Sequence, residues 1–300
     1  MSLLLQTPTA LVARLVRRVT GSTASPLAGR TVLVTGASSG IGEATAYAAA
    51  RRGAHVLLVA RRLDALEAVA EGIRADGGQA EAYACDLTDG DSVDALVDRV
   101  LAEHGAVDYL VNNAGRSIRR SLELTRDRFH DFERTMAVNY FGPVRLTMGL
   151  LPAMRQQRFG HVVNVLSWGV QLPAPKFAAY LASKSALDTW SRVAARETYA
   201  DNVTFTNVRM RNVLTPMLVS EDERDRKIAL TPEQAAERIV RALEDRPVHS
   251  NEWVGTPGQL FQLAFPRLAD RLASGGHRST PDTAAAAGTG AASSSYDVSR

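Results

Sequence analysis

Tyr180 and Lys184 stand four residues apart in a segment that reads as a helix, and Ser167 lies thirteen residues before the tyrosine, just past an apolar run. Positions i and i+4 of a helix share a face, so the Lys184 ammonium can approach the Tyr180 ring and favour its ionised form. A free phenol has a pKa of about 10 and exchanges protons poorly near neutral pH, whereas a neighbouring cation makes it a usable acid and base. With Ser167 as a hydroxyl donor, the three groups can move a proton on or off a carbonyl oxygen. Tyrosine and lysine at this spacing also describe two solvated side chains on an arbitrary helix, so the elements around them must decide.

Those elements alternate. Short β-branched runs at residues 31–35, 55–59, 80–84, 108–112, 161–166 and 203–208 predict strands, with a seventh near 252–254. Between them, residues 41–52, 63–76, 92–104, 129–157 and 178–199 predict helices. In the third of these, Val93, Leu96, Val97, Val100 and Leu101 form one apolar stripe. Strands alternating with crossover helices predict an α/β fold with a doubly wound parallel sheet. At 300 residues, 45% hydrophobic and 22% charged, the chain fits a single Rossmann-like domain over residues 29–273. The net charge of +3 comes without a basic block interleaved with aromatics, which excludes nucleic acid as the expected partner. A single cysteine, Cys85, leaves no internal disulfide or thiolate metal site; no metal is expected, and a reducing, cytoplasmic setting fits.

The termini differ from this core. No apolar run reaches the roughly 18 residues needed to span a bilayer. Residues 1–28 form an amphipathic extension in which Leu11, Val12, Leu15, Val16 and Val19 face away from Arg14, Arg17 and Arg18. Two readings stay open for it: packing on its own domain or a partner, and lying on a membrane surface. Residues 274–300, rich in Ser, Ala, Gly and Thr, predict a disordered tail.

Three loops that follow strands carry further chemistry. After the first comes Thr35-Gly36-Ala37-Ser38-Ser39-Gly40-Ile41-Gly42, where glycines let the backbone approach a pyrophosphate at the start of a helix. The second strand ends at Arg61 and Arg62, with no acid to bond an adenosine ribose, and arginine favours the additional phosphate of NADP. Asp86 after the third strand can accept from an adenine amino group, while Asp89 suits the cap of the next helix. Asn112, Asn113, Ala114 and Gly115 bring amides to the carboxyl edge after the fourth.

Together with Asn139 and the run Tyr180-Leu181-Ala182-Ser183-Lys184, these residues resemble the short-chain dehydrogenase/reductase superfamily from about Gly29 to Glu244. The resemblance implies Tyr180 as general acid/base, Lys184 lowering its pKa and holding the nicotinamide ribose, Ser167 orienting the carbonyl, and Asn139 holding a water that links Lys184 to solvent. It implies NADP(H) as cofactor, contacted by Gly36, Ser38, Ser39, Gly40, Ile41, Gly42, Arg61, Asp86, Leu87, Asn113, Ala114, Gly115, Tyr180, Lys184, Val213 and Thr215. It also implies a homo-oligomer paired through the helices that carry Asn139 and Tyr180. More narrowly, Arg116-Ser117-Ile118-Arg119-Arg120, Asn139-Tyr140-Phe141-Gly142-Pro143 and Trp168-Gly169-Val170-Gln171 look like an actinobacterial branch associated with fatty acyl reductases and lipid metabolism.

One departure stands out. Met210-Arg211 occupies the place of the superfamily's usual Pro-Gly pair, which puts nicotinamide positioning in question. The segment from Thr215 to Thr231 should cover the substrate, with Met217, Leu218 and Val219 able to face an acyl chain. Arg116, Arg119 and Arg120 read as a solvated basic loop, or else as the site of an anionic head group. Leu260, Phe261, Leu263, Ala264, Phe265, Leu268 and Leu272 predict an apolar terminal helix broken at Pro266 that docks on a subunit, closes the cavity or touches lipid. The expected activity is NADPH-dependent reduction of a lipophilic carbonyl; oxidation of a hydrophobic alcohol and a nucleotide-binding scaffold without turnover are the alternatives.

Overall fold

A computed structural model describes residues 24–218 and 227–279, with Asp282 and Ala286. The N-terminal amphipathic segment of residues 1–20, Val219 and the charged run of residues 221–226 lie outside the described residues. Seven parallel strands form one sheet in the order β3-β2-β1-β4-β5-β6-β7: β1 Thr31–Thr35, β2 His55–Ala60, β3 Gln79–Ala84, β4 Tyr109–Asn112, β5 Gly160–Ser167, β6 Val203–Met210 and β7 His249–Ser250. The strand order reverses between β1 and β4, and in such sheets ligands bind in the crevice beyond the carboxyl ends at that point.

Strand periodicity explains the two cores. Val32 and Val34 join Val56, Leu58, Val111 and Val163 on one face, covered by α1 (Gly40–Ala50), α2 (Leu63–Ala75) and α8 (Pro232–Asp245). Leu33 joins Leu57, Val59, Leu110 and Val162 on the other, beneath α3 (Gly90–His104), α6 (Gly142–Gln156) and α7 (Ala178–Thr198). The strands carry near-continuous apolar runs because both faces are covered, as parallel sheets require. Local signals agree with tertiary structure: Asp89 caps α3 by accepting from Asp91 N at 3.1 Å, and Thr231 with Gln234 closes a capping box on α8.

Three sequence expectations need correction. The helix predicted over 129–157 is three segments: α5 (His130–Met136), a π turn over Ala137–Phe141, and α6; the short α4 (Leu122–Thr125) precedes them. Pro143, lacking an N–H, opens α6 directly after the π turn, where the helical ladder changes register. The last strand is β7 at His249–Ser250 rather than 252–254, because Asn207 and Val208 of β6 supply its partners there. Past it, α9 (Gly255–Ala264) and α10 (Pro266–Ser279) divide at Pro266, as the sequence predicts. Helix α10 nevertheless continues to Ser279, past the Ser274 at which the sequence predicts a tail, and Asp282 reaches back to accept from Ser121 N at 3.2 Å and to pair with Lys176.

Candidate active site

Lys184 lies at the centre. It projects from α7 with its residue 4% exposed and donates from Nζ to the Val165 carbonyl of β5 at 2.9 Å. Burial holds its ammonium down to about 8. Gly115 faces it: a Cβ there would come within 3.3 Å of Lys184 Nζ and 2.8 Å of Asn139 Oδ1. Asn139, fully buried within the π turn, accepts from Arg116 N at 2.8 Å and donates to the Arg116 carbonyl at 2.9 Å, clamping the loop after β4. The same amide donates to Ser183 Oγ at 2.9 Å, and Ser183 donates to the Tyr180 carbonyl at 2.7 Å. One asparagine thus fixes both the loop and the helical turn that bears Tyr180. Its amide protons are taken by protein partners, so any water held there must be held through acceptors.

Ser167 ends β5 half-buried, its hydroxyl accepting from Gly169 N at 3.1 Å. Tyr180 is likewise half-buried, one turn before Lys184, with the Phe177 ring 6.3 Å away. A phenol and a hydroxyl reachable from solvent, backed by a buried cation, can exchange a proton with a carbonyl oxygen.

The glycine loop fits a dinucleotide. Gly36 takes a φ of +67°, and a Cβ there would sit 2.9 Å from Ala114 Cα; a Cβ on Gly42 would run into the Gly36 carbonyl. Ser39 is the N-cap of α1 and makes no side-chain cap hydrogen bond; the first-turn N–H groups of a helix can take up a phosphate. Across the loop, Thr215 Cγ2 lies 3.1 Å from where a Gly40 Cβ would be, so the segment after β6 forms the far wall. Parallel pairing of Val213 with Leu230 anchors that segment. Asn113 is a brace here, donating from Nδ2 to the Thr35 carbonyl at 2.9 Å, while Thr35 Oγ1 accepts from Asn113 N and Ala114 N. Asp86 folds onto Thr88 N at 2.9 Å with one carboxylate oxygen, and Leu87 is buried beneath α6. Arg61 and Arg62 are exposed at the end of β2.

Several expectations change. Met210 is buried and Arg211 takes no left-handed φ; its N–H donates to Glu252 Oε1 at 3.2 Å, so the loop runs on without the turn that a Pro-Gly pair makes. Arg120 is neither solvated nor free for a head group, since it pairs with the buried Asp131 at 3.2 Å. Leu218 turns inward, while Met217 is exposed. A buried polar ladder adds to these residues. Asn112, Asn164 and Asn207 stand in register on β4, β5 and β6, linked at 3.0 Å each, and Asn207 reaches Asp188 Oδ1 at 3.0 Å. Asp188 lies one turn past Lys184 and takes Arg209 at 2.6 Å, fastening α7 to the sheet. The available signal was a helical row of polar residues at 180, 184 and 188.

Comparison with known proteins agrees with this geometry. The short chain dehydrogenase family profile matches residues 30–226. An uncharacterized oxidoreductase of Mycobacterium tuberculosis is 47% identical over 264 residues, covering 87% of this chain and 77% of the relative. A fatty acyl-CoA reductase of Acinetobacter baylyi is 44% identical over 260 residues, covering 87% and 88%. The crystal structure of a metagenomic short-chain oxidoreductase in complex with NADP superposes with a TM-score of 0.65 at 34% identity, over 75% of this chain and 96% of that one. The chain is therefore an NAD(P)-dependent oxidoreductase belonging to the short-chain dehydrogenase family.

Proposed function

We propose that this chain is an NADPH-dependent reductase of a lipophilic carbonyl, with fatty acyl compounds as the substrate class, acting in the cytoplasm at or near a lipid surface. The observation that carries the reading is the buried Lys184 Nζ beside Gly115 and Asn139, one turn from a half-buried Tyr180. Gly36, Ser38, Ser39, Gly40, Ile41 and Gly42 would hold the pyrophosphate, the exposed Arg61 the additional phosphate of NADP, and Asp86 and Leu87 the adenine side. Asn113, Ala114, Gly115, Val213 and Thr215 would line the nicotinamide side. When bound, the cofactor supplies the hydride for the carbonyl carbon. Tyr180 gives its phenolic proton to the carbonyl oxygen, Ser167 donates a hydrogen bond that orients that oxygen, and Lys184 restores the phenol through proton exchange with solvent. The name of the Acinetobacter relative supports the acyl substrate class, and the NADP complex of the metagenomic relative supports the cofactor. The exposed side chains of Trp253, Leu260, Leu263, Phe265 and Leu272 on and before α9 and α10 support lipid contact. No described helix is long and apolar enough to cross a membrane.

The test is NADPH oxidation with a panel of long-chain aldehydes, ketones and acyl-CoA esters, for the wild type and Tyr180→Phe. Turnover by the wild type and its loss in the variant, with NADPH still bound, is expected. Tight NADPH binding without oxidation on any substrate would replace this reading with a scaffold, and faster NADP reduction on long-chain alcohols would reverse the direction.

A further inference from the structure

At the opposite end of the strands from the glycine loop, the face of the sheet under α3 stops being apolar. Along β2 that face carries Leu57 and Val59 but opens on His55; along β3 it carries Tyr83 and, two residues earlier and in register with Leu57, Glu81. His104, the last residue of α3, closes over them. The two imidazoles meet edge to face with centroids 5.3 Å apart, and both aim Nε2 at the same carboxylate: His55 Nε2 is 2.9 Å from Glu81 Oε1 and His104 Nε2 is 3.7 Å from Glu81 Oε2. We propose that His55, Glu81 and His104 form a binding site for a zinc-class divalent cation.

Two observations support a cation at this cluster. One atom from each residue lies within 4.8 Å of the other two. A tetrahedral zinc ion with bonds of about 2.0–2.2 Å spaces its ligand atoms by about 3.4 Å, so modest side-chain rotation opens the pair at 2.9 Å and closes the pair at 3.7 Å. In the ion-free arrangement His104 Nε2 donates to Tyr83 Oη at 2.7 Å and Tyr83 donates to Glu103 Oε2 at 2.6 Å, so a cation would take the place of the proton on His104 Nε2. The second is access: side-chain exposures of 26% for His55, 11% for His104 and 43% for Glu81 let a hydrated ion enter and keep water as a fourth ligand.

Two imidazoles and a carboxylate suit zinc and its first-row neighbours better than magnesium or calcium, which prefer all-oxygen shells. Strand β2 separates this cluster from Arg61 by its full length, so the ion would tie β2, β3 and α3 together without entering the proposed redox chemistry. The chemistry was invisible in the sequence because its three residues belong to three elements.

The test uses the full-length, tag-free chain, freed of metal with a chelator and dialysed. Zinc chloride is titrated calorimetrically into the wild type, His55→Gln, His104→Gln and Glu81→Gln, and Co2+ is added in parallel for its visible absorption. One zinc per chain is expected, with affinity reduced at least about tenfold in each variant, together with a Co2+ spectrum of low coordination number that the variants lose. A zinc-dependent rise in thermal midpoint should disappear with the same substitutions. NADPH binding should not change. Absence of saturable binding, or binding equally tight in His55→Gln and His104→Gln, overturns the site. Should His104→Gln fail to fold, the more exposed His55→Gln decides alone.

Discussion

At the scale of single residues, Lys184 makes a measurable commitment. Its folded ammonium titrates near 8, held down by burial, whereas an unfolded lysine titrates near 10.4. Between those values the unfolded chain binds the additional proton, so the cofactor-free protein gains stability as pH rises through this window; below about 8 both states are protonated and no slope remains. Urea unfolding at pH 8 and pH 10 should show this gain in the wild type relative to Lys184→Met, and parallel curves for the two proteins would reject it. Arg61 makes a second prediction. It is exposed at the end of β2 with no acid beside it, so Arg61→Asp should move the ratio of kcat/KM values from NADPH towards NADH. An unchanged ratio would remove that arginine from the cofactor site.

At the scale of elements, what could be read in advance was chemistry that is contiguous in the chain. The glycine loop, the Tyr180 to Lys184 turn and the Asp89 cap each lie within one local segment, where backbone geometry alone fixes neighbours. Register created the rest. The asparagines of β4, β5 and β6 become one ladder only once the strands are aligned, and Asn139 becomes a clamp only because the π turn faces it to Arg116 and Ser183. The ladder ends on Asp188, whose buried carboxylate meets Arg209 and steadies the helix that presents Tyr180 and Lys184. Asp188→Ala leaves the Arg209 guanidinium, 11% exposed, without its carboxylate, and should cost about 3–5 kcal/mol in denaturant unfolding. Loosening of α7 should also lower kcat more than it raises KM. A variant as stable as wild type would show that Arg209 is satisfied by Asn251, to which it also donates at 3.1 Å.

At the scale of the whole molecule, two groups of exposed apolar side chains among the described residues ask for different occupants. Phe141 and Met148 are 60% and 55% exposed on the π turn and α6, with Val193 at 49% on α7. These are the helices through which the family resemblance implies subunit pairing, and an interface core of aromatic and methionine side chains suits that role. Leu263, Phe265 and Leu272 stand out from α9 and α10, where Arg267, Arg271 and Arg278 flank them. That mixture of apolar side chains and arginines suits an anionic lipid surface better than a second copy of itself, since like charges would face each other across a symmetric contact. The two assignments separate by a crossed experiment. If these helices pair subunits, Phe141→Glu with Met148→Glu should lower the mass in light scattering and leave any sedimentation with anionic vesicles intact, because α9 and α10 are untouched. Leu263→Glu with Phe265→Glu should abolish vesicle sedimentation and leave the mass unchanged. If the second pair of substitutions changed the mass instead, α9 and α10 would be the subunit contact, and the lipophilic substrate would have to reach the site without a membrane-facing surface to deliver it.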